Sequence, residues 1–162
     1  MTEALGRFFG VMSADSGAAF VVVLHLDPTR ESHMADVLRS STAMPVAEIA
    51  DGQRIAPNHV YVIAPDNYLT LRDGVLHLSE PPEPRGHRYP VDVLFNSLAA
   101  DRHERAIAIV LSGTGRNGTE ELKGIKAEGG LILVQDPATA KFDGMPRSAI
   151  SADMADHVRS MP

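Results

Sequence analysis

Four apolar runs constrain the fold of this chain: FVVVLHL at 20–26, HVYVIAP at 59–65, AIAIVL at 106–111 and LILVQD at 131–136. Each is apolar at nearly every position, the pattern of a strand covered on both faces. Helix-like segments lie before and between them. Leu5, Phe8, Phe9 and Met12 recur at three-and-four spacing on one face of residues 2–12. HMADVLRSS, VDVLFNSLAAD and NGTEELKGIKAEGG, the last closed by Gly129, read as further helices. Strands alternating with helices predict an α/β fold, a three-layer, doubly wound and mainly parallel sheet. Tyr68 to Arg72 and Val75 to Leu78 flank Asp73-Gly74, the dipeptide of a tight two-residue turn, and predict one antiparallel hairpin. The proline-rich and charged stretch SEPPEPRGHRYP reads as an exposed connector between two halves of one domain.

The 162 residues suit one domain spanning 1–162, and a formal charge of −6 gives no basic footprint for DNA or RNA. Cysteine is absent, which removes disulfides, thiolate catalysis and cysteine metal sites. No histidine pair has a helical metal-binding spacing, so neither a metal nor another cofactor is expected. AFVVVLHL is too short to span a bilayer, and MTEALGRFFGVM lacks the basic start and apolar core of a signal peptide. These features predict a soluble, cytoplasmic chain with no membrane insertion.

Ligands of open α/β sheets collect at the carboxyl ends of strands. Three polar places fit that rule: His25 after FVVVL, SGTGRNG after AIAIVL, and Gln135-Asp136 after LILV. His33, His59, His77, His87, His103 and His157 lie on helices, loops or the hairpin and read as surface or structural residues. Gly113, Gly115 and Gly118 have the spacing of a dinucleotide-binding loop, with Asp136 where an acid would meet a ribose. A nucleotide-binding domain is thus one reading, although only one further strand-and-helix unit follows Gly118. Asn117, three residues before Glu120, matches a capping box at the start of a helix. Ser112 reads as a strand terminator, and neither Ser148 nor Ser151 has a spacing that pairs it with His25.

FVVVLHLDP, AMPVAEIADGQRIAPNHVYVIAP, LTLRDGVLHL, LSGTGRNGT, GGLILVQDPATAKFDGMPRSAI and the starting TEAL together cover almost the whole chain. In these stretches the sequence resembles the catalytic domain of CheB-type chemotaxis protein-glutamate methylesterases, especially those within methylesterase–methyltransferase fusion proteins. The resemblance implies a parallel sheet with helices on both faces. It also implies a Ser-His-Asp mechanism acting on glutamate methyl esters of a partner, the methylated chemoreceptor. His25 matches the family histidine. Asn117 stands in the place of the triad aspartate, and Thr114 where family members commonly carry a methionine that helps form the oxyanion site. Gly144, Met145 and Pro146 are expected to line the same depression.

Two departures bear on chemistry. The family serine lies in a GASAGG-like turn immediately before the helix that here begins TEAL, so this sequence is expected to lack that serine, its turn and the strand before it. Asparagine in place of the acid cannot stabilise an imidazolium by charge. Two functional classes follow: a fragment of a longer methylesterase, or a non-catalytic module that binds a receptor or partner domain. Removing an interior strand leaves two rows of unpaired backbone groups. The expected remedies are a homodimer that pairs edges, a shifted N-terminal segment, or additional residues.

Overall fold

The apolar runs become strands in the computed structural model, which describes residues 2–24, 33–115 and 118–161. In chain order the elements are α1 (Thr2–Val11), β1 (Ala19–Val22), α2 (Met34–Arg39), β2 (Val46–Glu48), β3 (Gln53–Arg54), β4 (His59–Val62), β5 (Tyr68–Arg72), β6 (Val75–Ser79), α3 (Pro90–Arg102), β7 (Ile107–Val110), α4 (Leu122–Ala127), β8 (Leu131–Gln135), α5 (Gly144–Ser151) and β9 (His157–Arg159). One parallel sheet runs β1-β4-β2 and a second runs β7-β8-β9. A third, antiparallel sheet has the order β3-β6-β5.

The α/β class, the mainly parallel pairing and the hairpin agree with the sequence reading, and four details differ. Parallel strands fall into two ladders among the described residues. The hairpin gains β3 as a third strand, paired Gln53 to Leu76 and Arg54 to Val75. LILVQD is followed by β9, which carries His157. The helix expected from Asn117 begins only at Leu122, because residues 118–121 form a turn started by Gly118 at φ +82°. β2, β3 and β9 are two or three residues long and have no apolar run to announce them.

Helices attach the sheets through separate apolar clusters. Leu5 and Phe9 of α1 pack with Val22, Leu38, Val60 and Val62. Phe8, Phe9 and Phe20 meet edge to face at 5.0–6.1 Å between ring centroids, an arrangement that suits aromatic quadrupoles. Helix α3 joins the other two clusters: Leu94 packs with Leu69, Leu71 and Leu76 of the hairpin, Ala99 packs with Ala108, Ile125 and Ile132, and Leu98 touches both groups.

Among the described residues each of the three sheets ends in two edge strands, and β1 and β7 are the edges whose carboxyl ends lie before residue 25 and at the glycine loop. Among the described residues β1 pairs only with β4, and β7 only with β8. The carboxyl ends of these strands share packing, since Leu111 lies against the cluster that holds Val22 and Leu24.

The hairpin turn has Asp73 at φ +51° and Gly74 at φ +73°, the left-handed backbone that a two-residue turn demands. Asp101 of α3 holds it from outside, with its carboxylate accepting from the backbone N–H groups of Asp73 and Gly74. The same carboxylate lies 2.9 Å from Arg102 Nε, too bent for a hydrogen bond but close enough for attraction. Asp101→Ala should therefore lower stability by about 2 kcal/mol, since charged hydrogen bonds contribute roughly 1.5–3 kcal/mol each and part of the turn remains solvated. Urea unfolding of the two proteins measures the difference.

Candidate active site

The glycine loop begins where β7 ends, and a buried polar network fixes that point. Ser112 and Gln135 are each only 2 % exposed. The Ser112 N–H donates to Gln135 Oε1 at 2.9 Å, while the Ser112 hydroxyl oxygen accepts from Phe142 N–H at 2.9 Å. Gln135 Nε2 in turn donates to the Thr139 carbonyl at 3.1 Å. Ser112 thus ends its strand as expected, and it also ties the strand to the segment before α5. Gly113 continues the tie: its N–H donates to the Phe142 carbonyl at 2.9 Å, and its carbonyl accepts from Met145 N–H at 3.0 Å.

These bonds bring three sequence-predicted residues into one place. Thr114 is exposed on the loop between Gly113 and Gly115. Gly144 backs onto that loop so closely that a Cβ would lie 3.1 Å from Gly115 N and 3.4 Å from the Gly113 carbonyl. Met145 follows at the start of α5, half-buried, with Pro146 buried behind it. The other two predicted residues, His25 and Asn117, lie outside the described residues. Leu24 is buried in the cluster against which Leu111 packs.

The capping box differs from expectation. With α4 starting at Leu122 and Glu121 at its N-cap, Glu120 does not occupy the third position of the helix, and its carboxylate instead meets Lys123 Nζ at 2.6 Å. The far end of the loop is held from α3, where Asp92 Oδ1 accepts from Gly118 N–H at 2.5 Å. Asp92 was not selected from the sequence because it reads as an ordinary first-turn acid.

The arrangement suits a phosphate poorly. Gly113 N–H is already donated to a carbonyl and Gly118 N–H to a carboxylate, whose charge would repel an anion. Asp136 is engaged locally, accepting from Ala138 N–H at 2.9 Å.

On the β4 side a depression opens at the carboxyl end of the strand, lined in part by Leu24, Ile63, Asp66, Tyr68, Arg88 and Tyr89. The connector SEPPEPRGHRYP supplies one wall. Arg85 bonds Asp66 at 2.8 Å and Arg88 contacts the same carboxylate. The Arg85 hydrogen bond, with the charges of both guanidiniums, holds the Asp66 carboxyl below its usual range. Burial pushes the Tyr68 phenol up, and its hydroxyl donates to Glu83 at 2.7 Å. Composition alone made this connector a solvated linker; its two arginines give it a fixed place.

The family model described as CheB methylesterase matches residues 2–162. This chain belongs to the CheB methylesterase family. It is 34% identical over 165 residues to the protein-glutamate methylesterase/protein-glutamine glutaminase of Paraburkholderia xenovorans, covering 99% of this chain and 45% of that protein. Over 161 residues it is 35% identical to a Pseudomonas aeruginosa protein of the same description, with 97% and 46% covered. The chain therefore spans less than half the length of these relatives. A 104.1 kDa protein of Rhodobacter capsulatus, described as uncharacterized, is 42% identical over 123 residues, 76% of this chain and 13% of that one. The crystal structure of the Thermotoga maritima CheB methylesterase catalytic domain superposes with a TM-score of 0.90 at 27% identity, covering 99% of this chain and 87% of that chain.

In this CheB-family domain the glycines of the loop are not equivalent, and substitution separates them. A Cβ at Gly118 would lie 2.7 Å from Val91 Cγ1 and 3.2 Å from Phe95, whereas at Gly115 nothing among the described residues lies within 4 Å. Both have positive φ, +82° and +89°. Gly115→Ala should cost about 1 kcal/mol from backbone strain alone. Gly118→Ala adds overpacking and should cost roughly 2–4 kcal/mol. Thermal unfolding of the two variants gives the order, and equal losses would contradict the packing described for Gly118.

Proposed function

We propose that this domain is the esterase half of a chemotaxis protein-glutamate methylesterase, acting on glutamate methyl esters of methylated chemoreceptors once a nucleophile-bearing strand completes it. Family membership supports the reaction class. The observation that carries the proposal is that, of the edge strands among the described residues, β1 and β7 share packing at their carboxyl ends, where Leu111 lies against the cluster of Val22 and Leu24, and lead in sequence to His25 and to the glycine loop. A strand inserted there would run parallel to both neighbours, since each edge already belongs to a parallel ladder. Its carboxyl end would then open beside Leu24, Thr114 and the start of α5.

In this reading a serine at the end of the inserted strand attacks the ester carbonyl. His25 takes the serine proton and returns it to the departing methanol, and a water molecule then releases the glutamate carboxylate. The residue at 117 orients the imidazole. Thr114, Gly144 and Met145 form the wall on which the developing oxyanion rests, with the remaining loop amides as donors. The chain uses no metal or other cofactor in this scheme.

Asn117 favours a second reading, a non-catalytic module that binds a receptor or a partner domain through the same face. Asparagine orients a histidine without stabilising its positive charge, and replacing the acid in a serine triad by asparagine costs about 10⁴ in kcat. A homodimer pairing the free edges belongs with this second reading.

One experiment separates the two. A family-type first strand with a GASAGG turn is placed before Thr2, with and without Asn117→Asp, and thermal stability and methyl-ester hydrolysis are measured. Extension should raise the melting temperature by roughly 5 °C in both proteins, because a few kcal/mol shifts a domain of this size by that amount. Hydrolysis should rise by about 10²–10⁴ on adding the aspartate. Comparable hydrolysis by the chain without the extension would overturn the proposal, and an unchanged melting temperature would show that the edges are not a strand site.

A further inference from the structure

Away from the glycine loop, at the far end of α3, two arginines converge on the hairpin turn. Arg102 lies about 15 Å along the helix from Asp92, at 1.5 Å per residue, and so stands apart from the candidate active site. A Cβ at Gly74 would lie 2.6 Å from Arg102 Nη2 and 3.4 Å from Arg54 Nη1, so a glycine at this position gives the two guanidiniums a common seat. They come from different elements, Arg54 from β3 and Arg102 from the last turn of α3. Gly74 is buried, while Arg54 is exposed and 23 % of the Arg102 side chain faces solvent.

Neither guanidinium has spent its donors. Each carries five N–H groups in a fixed fork. Among the described residues the Arg54 guanidinium makes one hydrogen bond, from Nη1 to the Asp73 carbonyl at 3.1 Å. The Arg102 guanidinium makes none: its Nε is buried without an acceptor, and its one polar contact is the bent ion pair with Asp101. Arg39 and Arg88, by contrast, each bond both a carbonyl and a carboxylate. Buried donors in folded proteins nearly always meet an acceptor, and this fork meets none in good geometry.

Charge leads the same way. Two guanidiniums that share the face of one glycine repel each other. Asp101 offsets Arg102, but both of its oxygens already accept from the turn N–H groups of Asp73 and Gly74. The carbonyl end of α3 also favours a cation at Arg102. Neither effect serves Arg54, to which Asp73 presents its backbone carbonyl. Arg72, paired like Arg54 with Val75, adds a further cation at the same end of the sheet. Arg54, Arg72 and Arg102 thus stand against Asp73 and Asp101, an excess of positive charge on a domain of formal charge −6.

We propose that Arg54 and Arg102 form an oxyanion site over the hairpin turn, and that its ligand is a phosphate group, either a free ion or one carried on a side chain of a partner protein. A planar carboxylate fills one guanidinium fork. A tetrahedral phosphate turns oxygens toward two forks that reach in from different elements, and its double charge matches the pair. The site stands independently of the function proposed above.

An NMR titration of the chain as it exists tests the site. Inorganic phosphate, added at constant ionic strength, should shift the Gly74 amide and the Nε–H signals of Arg54 and Arg102 along one saturable curve. Arg105 and Arg159, both exposed, serve as ordinary surface arginines and should not follow that curve. Acetate should bind about tenfold more weakly or not at all. Arg54→Gln and Arg102→Lys should each weaken phosphate about tenfold, the loss expected for one charge-assisted hydrogen bond, although the lysine keeps the charge. Gly74→Asn keeps both arginines and tolerates a positive φ, but its Cβ takes the place beside Arg102 Nη2 and should weaken phosphate as much. A phosphoserine peptide that binds more tightly than inorganic phosphate assigns the site to a partner protein, whereas equal or weaker binding assigns it to the free ion. Shifts that do not saturate, that appear equally at Arg105 and Arg159, or that survive unchanged in both arginine variants overturn the proposal. A folded Gly74→Asn that binds phosphate normally does so too, as does acetate binding as tightly as phosphate, which would mean charge attraction without a built site.

Discussion

Ser112 and Gln135 are the interaction on which the site depends. Burying two polar side chains beside a strand end costs free energy unless each finds partners. Here the partners are arranged so that satisfying one fixes the next: Ser112 N–H to Gln135, Gln135 to the Thr139 carbonyl, and Phe142 N–H to the Ser112 hydroxyl. The end of β7, the turn after β8 and the approach to α5 are thereby held in one frame. Gly113, Gly144 and Met145 meet only because that frame exists. A valine at 112 or a leucine at 135 would suit the apolar surroundings but would leave backbone donors without acceptors.

The glycine loop consequently has a different character from the phosphate cradle that its spacing suggests. In a cradle, glycine amides point outward in a row and wait for an anion. In this chain two of them turn inward, Gly113 toward a carbonyl and Gly118 toward a carboxylate. Spacing alone does not distinguish the two arrangements, because glycine is required in both wherever backbone is crowded or φ is positive.

Much of the fold was legible in the residues. Four apolar runs gave β1, β4, β7 and β8, and Asp73-Gly74 gave the hairpin with its strand bounds almost unchanged. These signals are local, since burial on both faces and a positive-φ turn each leave a pattern in consecutive residues. β2, β3 and β9 were not visible because strands of two or three residues owe their pairing to a neighbour already in place. At the site, the strand-end rule and the family motifs selected Thr114, Gly144 and Met145, and the structure brings their segments together. Asp92 and Arg88 escaped notice for a shared reason: each is an unremarkable charge in its own segment and acquires a role only from a partner more than 20 positions away.

Helix α3 touches nearly everything on one side of the molecule. Its Ser97 hydroxyl accepts from Leu71 N–H, Asp101 holds the hairpin turn, Asp92 holds Gly118, and Leu98 lies between two apolar clusters. Opening the hairpin therefore exposes the flank of α3, and displacing α3 strips the support from the second parallel sheet. The hairpin, α3 and β7-β8 should exchange their backbone hydrogens as one cooperative unit, despite the proline-rich connector that divides them in sequence. Local breathing, on this view, is confined to elements that α3 does not reach, such as β9 with its three exposed residues. The halves suggested by the chain's composition are not halves in energy.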